Sequence, residues 1–285
     1  MENLEKETKF ILQKYNIKAN KNLGQNFLID ENIINNMING SNVDKNDLII
    51  EIGPGLGTLT KYLLEKAYKV IVIELDRNMV DILKERFFLY ENLEIINDDI
   101  LNIDLQKIID ENLRSFENIK SVKVISNLPY YITTPIIMKL IEDNINLESI
   151  TVMIQKEVAE RLIAEPGSKS SGAITYKVNY YYIGERIIEV PESSFIPQPE
   201  VTSEVIRLKK RKEKPVLVAK EELFFDIIKK AFLQRRKTLL NALINGKVFI
   251  NKEQGIKILK EIGLKENVRA EELTLQNFAD ITNLI

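Results

Sequence analysis

Five short apolar runs alternate with amphipathic segments through the first two thirds of this chain, and that alternation leaves few architectures open. The runs are DLIIEI (47–52), KVIVIEL (69–75), LEIIN (93–97), VKVISN (122–127) and SITVMIQ (149–155). They are rich in Ile and Val and lack a clear period-two alternation, so they read as strands buried on both faces. Between them GTLTKYLLEKA, NMVDILKERFF, LQKIIDENL and TPIIMKLIED carry apolar residues at helical spacing. Strand alternating with helix gives an α/β fold, a parallel sheet with right-handed crossovers. YKVNYYYIGERIIEV (176–190) and EVTSEVIRLKK (200–210) read as later strands.

The pattern then changes. LKKRKEKPVLVAKEE (208–222) reads as a linker, and the remainder looks helical. Over Glu221–Lys237 the residues Leu223, Phe224, Ile227, Ile228, Ala231 and Phe232 fall on one apolar face. The division expected is a sheet domain over 1–209 and a small all-α domain over 210–285. Charge divides in the same way. From Lys209 to Ile285 there are 17 Lys and Arg against 10 Asp and Glu, while the first 208 residues carry 23 against 32. The first 20 or so residues carry a short helical pattern and then a basic turn, IKANKNLGQ (17–25).

What is missing narrows the chemistry. The chain has no Cys and no His, which excludes disulfides, thiolate nucleophiles, Ser-His-Asp chemistry and His-ligated zinc. No metal is expected. No apolar run approaches the ~20 residues that span a bilayer, and MENLEKETKF has no signal-peptide core, so a cytoplasmic protein without membrane contact is expected.

IIEIGPGLGTLT (49–60) follows the first strand and opens a helix. Gly53, Gly55 and Gly57 let the backbone turn tightly and approach a ligand. Glu74, which ends the second strand 21 positions after Gly53, can accept both hydroxyls of a ribose. Asp99, after the third strand, can accept from an adenine amino group. Together these point to an adenosine without a pyrophosphate. S-adenosylmethionine fits best, with NAD the competitor.

The fourth strand ends in SNLPYYITTP (126–135). An exocyclic amine of a base is a poor nucleophile, because its lone pair is delocalised into the ring. Two oxygen acceptors on its N–H groups, the Asn127 side chain and the Leu128 carbonyl, would localise that pair. Pro129 restricts Leu128 to an extended conformation, and Tyr130 can stack on the base. The bland alternative is a strand-ending turn with two core tyrosines.

The ordered set NLGQNFLID, EIGPGLGTLT, IELD, SNLPYYITTPI, MIQKEVAERL, FIPQPEVTSEVIRL and AFLQRRKTLLNAL resembles the ribosomal RNA adenine dimethyltransferases, most of all the bacterial branch that modifies small-subunit (16S) rRNA. The match runs from about Lys21 to RAEELTLQNFADI near the end. The resemblance implies a Rossmann-like class I methyltransferase domain with a seven-stranded, mostly parallel sheet and a small helical domain after it. It implies a cofactor site of Asn26, Leu28, Gly53, Glu74, Asp99 and Asn127, with Gly55 in the same loop. Tyr130 and Phe195 would flank the target adenine. The product implied is N6,N6-dimethyladenine on two adjacent adenines of a hairpin loop in the small subunit (the 16S rRNA of a pre-30S particle). Many relatives have Asn where this chain has Tyr131, and a His common before GQNFL is absent.

Lys229, Lys230, Arg235, Arg236 and Lys237 cluster around the amphipathic segment and could neutralise phosphates without reading sequence. A structured RNA would then be held by shape, with one base flipped into the pocket. The chain is expected to act as a monomer. Rival readings are a large-subunit rRNA adenine dimethylase of the antibiotic-resistance type, a DNA adenine methyltransferase, and a ribosome-assembly checkpoint that works mainly by binding.

Overall fold

The computed structural model describes residues 4–19, 24–143 and 145–285. Of the basic turn IKANKNLGQ, residues 20–23 lie outside the described residues. The chain divides into two units, Met1–Ala159 with Glu185–Lys210, and Glu160–Gly184 with Arg211–Ile285.

The first unit is built on the apolar runs. After α1 (Leu4–Lys14) and the two-residue β1 (Phe27–Leu28), α2 (Glu31–Ser41) starts at an Asp30 N-cap. The Asp30 carboxylate accepts from the Asn32 and Ile33 N–H groups at 3.0 and 3.4 Å, satisfying donors that a helix start leaves orphaned. Then come β2 (Asp47–Ile52), α3 (Thr58–Lys66), β3 (Lys69–Glu74), α4 (Arg77–Arg86), β4 (Leu93–Asn97), α5 (Leu105–Ser115), β5 (Ser121–Asn127), α6 (Thr133–Glu142) and β6 (Ser149–Gln155). Further on follow α7 (Lys156–Ile163), α8 (Ala173–Tyr181), β7 (Tyr182–Val190), β8 (Phe195–Ile196) and β9 (Ser203–Lys210).

The seven-stranded sheet has the order β4-β3-β2-β5-β6-β9-β7. Strands β2 to β6 pair in parallel, and β9 runs antiparallel to β6. All six residues of β2 are buried, as a strand covered on both faces requires. From β2 the chain winds outward through β3 and β4, then returns to the other side of β2 at β5. The order reverses between β2 and β5, and the crevice outside the carboxyl ends of such a pair is where open α/β sheets hold ligands.

At the amino ends of the same strands, Lys123 Nζ lies 2.7 Å from Asp47 Oδ2 and donates to the Asn42 carbonyl at 2.7 Å. Both charged side chains are buried. This ion pair ties β5 to β2 at the end remote from the crevice.

The second unit packs α9 (Glu221–Leu233), α10 (Leu239–Asn245), α11 (Lys252–Glu261) and α12 (Leu275–Asn283) with α8. Tyr176 of α8 stands in its core. The hydroxyl donates to the Leu273 carbonyl at 2.6 Å, and the ring meets Phe278 edge-on.

Two expectations need correction. YKVNYY (176–181) belongs to a helix, and only the part from Tyr182 is strand. Tyr and Val favour strands weakly, but Tyr176 and Tyr180, four apart, both bury fully in the aromatic core of the second unit, and packing overrides propensity. In addition, Glu160–Gly184 belong to the second unit, so a single boundary after residue 209 does not describe the chain.

Candidate active site

The glycine loop follows β2 directly. Gly53 has φ +65°, and a Cβ there would stand 3.3 Å from the Pro129 ring. That close approach, together with the left-handed backbone, favours glycine, and it brings the loops after β2 and β5 together. Gly57, with φ +79°, begins α3, and a Cβ on it would run into the Phe87 ring.

Glu74 closes β3 beside the loop. Its Oε2 accepts from the Gly55 N–H at 3.1 Å and its Oε1 from the Asp76 N–H at 2.8 Å. Burial raises its pKa, and these backbone donors oppose the rise. Each oxygen keeps a further lone pair for a ligand. Asp99 follows β4 in a tight turn, where its carboxylate accepts from the Leu101 N–H at 2.9 Å.

Asn127 ends β5. Its Nδ2 donates to the Asn26 carbonyl at 3.4 Å, which leaves Oδ1 as the acceptor turned to other partners. Pro129, at φ −59° and ψ 128°, leads into a 3-10 turn, Tyr130–Ile132. Opposite lies the segment of β1. A Cβ on Gly24 would be 3.4 Å from the Tyr131 ring.

These pieces line a solvent-open cavity formed by 24–28, 51–55, 58–59, 73–75, 98–100 and 127–132. It therefore brings together Asn26, Leu28, Gly53, Gly55, Glu74, Asp99, Asn127, Leu128 and Tyr130. Phe195 lies outside that lining. Its ring is 1% exposed, it pairs with Leu28 across β1 and β8, and it packs in the core without lining this cavity.

The lining carries four carboxyl groups, Glu51, Glu74, Asp98 and Asp99, and no Lys or Arg. Such a wall attracts a cation and repels a pyrophosphate. Glu51 escaped the motif reading. It is 2% exposed and accepts from Thr60 Oγ1 at 2.6 Å. Burial pushes its pKa up to about 8, with the nearby Glu74 charge adding to the rise. The available signal was a lone acid near the end of an otherwise apolar strand, immediately before the glycine loop. Among the described residues, no group of three or more His, Cys, Asp and Glu could hold a metal ion, and no helix is long and apolar enough to cross a membrane.

The basic residues are arranged differently from the expectation. α9 ends at Leu233, so Arg235, Arg236 and Lys237 lie in the turn before α10 and not on the helix. Arg235 pairs with Glu271 at 2.6 Å, and Lys230 pairs with Asp226 at 2.6 Å. Lys229, Arg236 and Lys237 are exposed.

A family model described as ribosomal RNA adenine dimethylase matches residues 16–285. The chain is 48% identical to the ribosomal RNA small subunit methyltransferase A of Alkaliphilus oremlandii, over 98% of this chain and 96% of that one. It is 46% identical to the protein of the same name from Clostridioides difficile, over 98% and 94%. Among solved structures, a dimethyladenosine transferase from Plasmodium falciparum superposes with a TM-score of 0.72 at 25% identity, covering 90% of this chain and 95% of that one. The 23S rRNA methyltransferase ErmE has the same fold, with a TM-score of 0.69 at 20% identity over 91% and 99%. A match across nearly every residue, with relatives near half-identical along their own lengths, makes this chain a member of the ribosomal RNA adenine dimethylase family.

Proposed function

We propose that this chain is an S-adenosylmethionine-dependent methyltransferase that dimethylates N6 of two adjacent adenines in a hairpin loop of small-subunit rRNA, acting on immature particles in the cytoplasm. The names of its nearly full-length relatives support the small subunit as substrate. The observation that carries the chemistry is the end of β5. There an amide oxygen, released by the Asn127–Asn26 bond, sits beside Leu128 and Tyr130 in the wall of an acidic cavity.

The residues present fit the cofactor. Four carboxyl groups without a lining cation suit a positively charged ligand. Glu74 would accept from the ribose hydroxyls, Asp99 from the adenine amino group, and the backbone at Gly53 and Gly55 would lie against the amino-acid end, with Asn26 and Leu28 on the opposite wall. When bound, S-adenosylmethionine supplies a methyl group on a sulfonium already activated for attack.

The chain's own part is to prepare the amine. Asn127 Oδ1 and the Leu128 carbonyl accept the two N6–H groups, which draws the nitrogen toward a tetrahedral shape and localises its lone pair. Pro129 fixes the turn that aims the carbonyl. Tyr130 holds the ring plane by stacking. The proton is lost after attack, so no side chain with a pKa near neutrality is needed at the amine.

The exposed cations Lys229, Arg236 and Lys237 of the second unit would meet phosphates. The test is incubation with labelled S-adenosylmethionine and small subunits that lack the modification, followed by mapping of the labelled base. Label on any base other than adenine, or none on the small subunit, refutes the reading.

A further inference from the structure

Tyr130 sits in the cavity wall, and its phenol oxygen lies 2.6 Å from Ser203 Oγ. Ser203 opens β9 and is fully buried. Among the described residues neither hydroxyl has another hydrogen-bond partner. We propose that Ser203 is a positioning residue for the methyl transfer, holding the Tyr130 ring at the angle the target base needs. This rests on the reading of Tyr130 as the ring that stacks on the adenine.

The argument starts from the freedom of the ring. A tyrosine turns about two side-chain torsions, and Tyr130 belongs to a short 3-10 turn rather than to a strand. Its backbone alone does not fix the ring plane. The hydroxyl contact does, because the anchor stands on the sheet that carries the acceptor. Ser203 pairs with Gln155 of β6, and Met153 of β6 pairs with Asn127 of β5. Ring and amide oxygen are thus referred to each other through two strand ladders, with no mobile loop between them. The neighbouring Thr202 donates to Glu192 at 2.7 Å, which fixes the chain entering β9. The phenol is more than half buried, which raises its pKa and keeps it neutral. A serine facing inward at a fully buried strand position adds little packing, so its hydroxyl is the feature the site uses.

Removing the Ser203 hydroxyl leaves the phenol buried without a partner, and the ring then turns toward water. Misplacement of a stacking group lowers turnover by about 10- to 100-fold while leaving cofactor binding untouched. Removing the phenol as well takes away the reason to turn, since two apolar groups in place of a bonded pair are nearly neutral.

The experiment is a double-mutant cycle on the full chain, with Ser203→Ala, Tyr130→Phe and both together. It reads kcat and KM for small-subunit methylation, S-adenosylmethionine affinity by calorimetry, and Tm. The expected result is a kcat loss of about 10-fold or more for Ser203→Ala alone, and less than about 2-fold for the same change in the Tyr130→Phe background. Cofactor affinity should stay the same throughout. Equal losses in both backgrounds, or wild-type kcat for Ser203→Ala, overturn the proposal. Should Ser203→Ala not fold, Ser203→Cys carries the same comparison, with a smaller loss expected in the wild-type background only. Tyr130→Ala separates the underlying reading. If it methylates at the wild-type rate, Tyr130 does not hold the base, whatever Ser203 does.

Discussion

The proton on Glu51 gives the cavity a measurable pH dependence. With a pKa near 8, this acid is about nine-tenths protonated at pH 7 in the empty protein. A cationic ligand in a cavity that Glu51 lines favours its ionised form, so binding S-adenosylmethionine should expel the proton. Below pH 8, affinity then rises with pH. Between pH 7 and pH 9 the ionised fraction grows about tenfold, and tenfold in affinity is about 1.4 kcal/mol. Titration calorimetry at pH 7 in two buffers of different ionisation enthalpy counts the protons released, and close to one is expected. Glu51→Gln should abolish both the release and the slope, and it separates Glu51 from the ligand's own amino group. Thr60→Val removes a donor that lowers this pKa, so the rise should move to higher pH. Stability runs the other way. The folded pKa lies above the ordinary carboxylate range, so the folded chain keeps a proton that the unfolded chain has lost. The contribution is whole below about pH 4.5 and is lost as pH rises to about 8. An affinity unchanged from pH 6.5 to 9, with no proton released, would refute the reasoning.

Glu74→Ala should weaken S-adenosylmethionine binding tenfold or more, since charge-assisted bonds are worth roughly 1.5–3 kcal/mol each; calorimetry showing wild-type affinity would remove Glu74 from the cofactor site. Lys123→Met leaves the buried Asp47 carboxylate without its counter-ion, though still bonded to the Asp44 N–H and the Ser121 hydroxyl, and should lower unfolding free energy by up to about 3 kcal/mol. Urea titration measures this, and cofactor affinity should hold because the pair lies at the far ends of the strands. Replacing Lys229, Arg236 and Lys237 should flatten the salt dependence of RNA affinity by up to about three units of slope if all contact phosphate, whereas Arg235, already paired with Glu271, should contribute less. The second methylation should be about 2–13-fold slower than the first, because a monomethylated N6 leaves one of its two acceptors unpaired at about 0.5–1.5 kcal/mol; single-turnover reactions on unmodified and pre-monomethylated RNA compare the steps directly.

Where local pattern decides structure, the sequence was readable. β2, β3, β5 and β6 bury both faces, so their composition betrays them, whereas β4 at the sheet edge is only partly buried despite its apolar run; Gly53, Glu74, Asp99 and Asn127 stand at or just beyond strand ends that fall on one edge of a parallel sheet. Where distant residues decide, it was not. Tyr176 and Tyr180 lie in a strand-like stretch, yet they are drawn into a helix by the core of the second unit. Phe195 carries a motif that implies a base contact, yet in this structure it is buried in the core cluster of the first unit. Arg235 looks like its two basic neighbours until Glu271, 36 positions away, is seen beside it. Ser203 lies inside the motif FIPQPEVTSEVIRL, but nothing local shows that its hydroxyl meets Tyr130, 73 positions back.

The division of charge between the units follows from the chemistry proposed. A cavity that favours a sulfonium must be acidic, and a substrate made of phosphates must be held by cations. One surface cannot do both well, because carboxylates that draw the cofactor repel the backbone of the RNA. The first unit carries 22 Lys and Arg against 30 Asp and Glu, and the second carries 18 against 12. The acidic lining then selects what part of the RNA can enter. Under the proposed function, a neutral base would leave its stack and reach Asn127, while its phosphates would stay outside. The two affinities should therefore respond oppositely to conditions. RNA binding should weaken steeply with salt through the second unit's cations. Cofactor binding, set by half-enclosed carboxylates, should depend weakly on salt and strongly on pH.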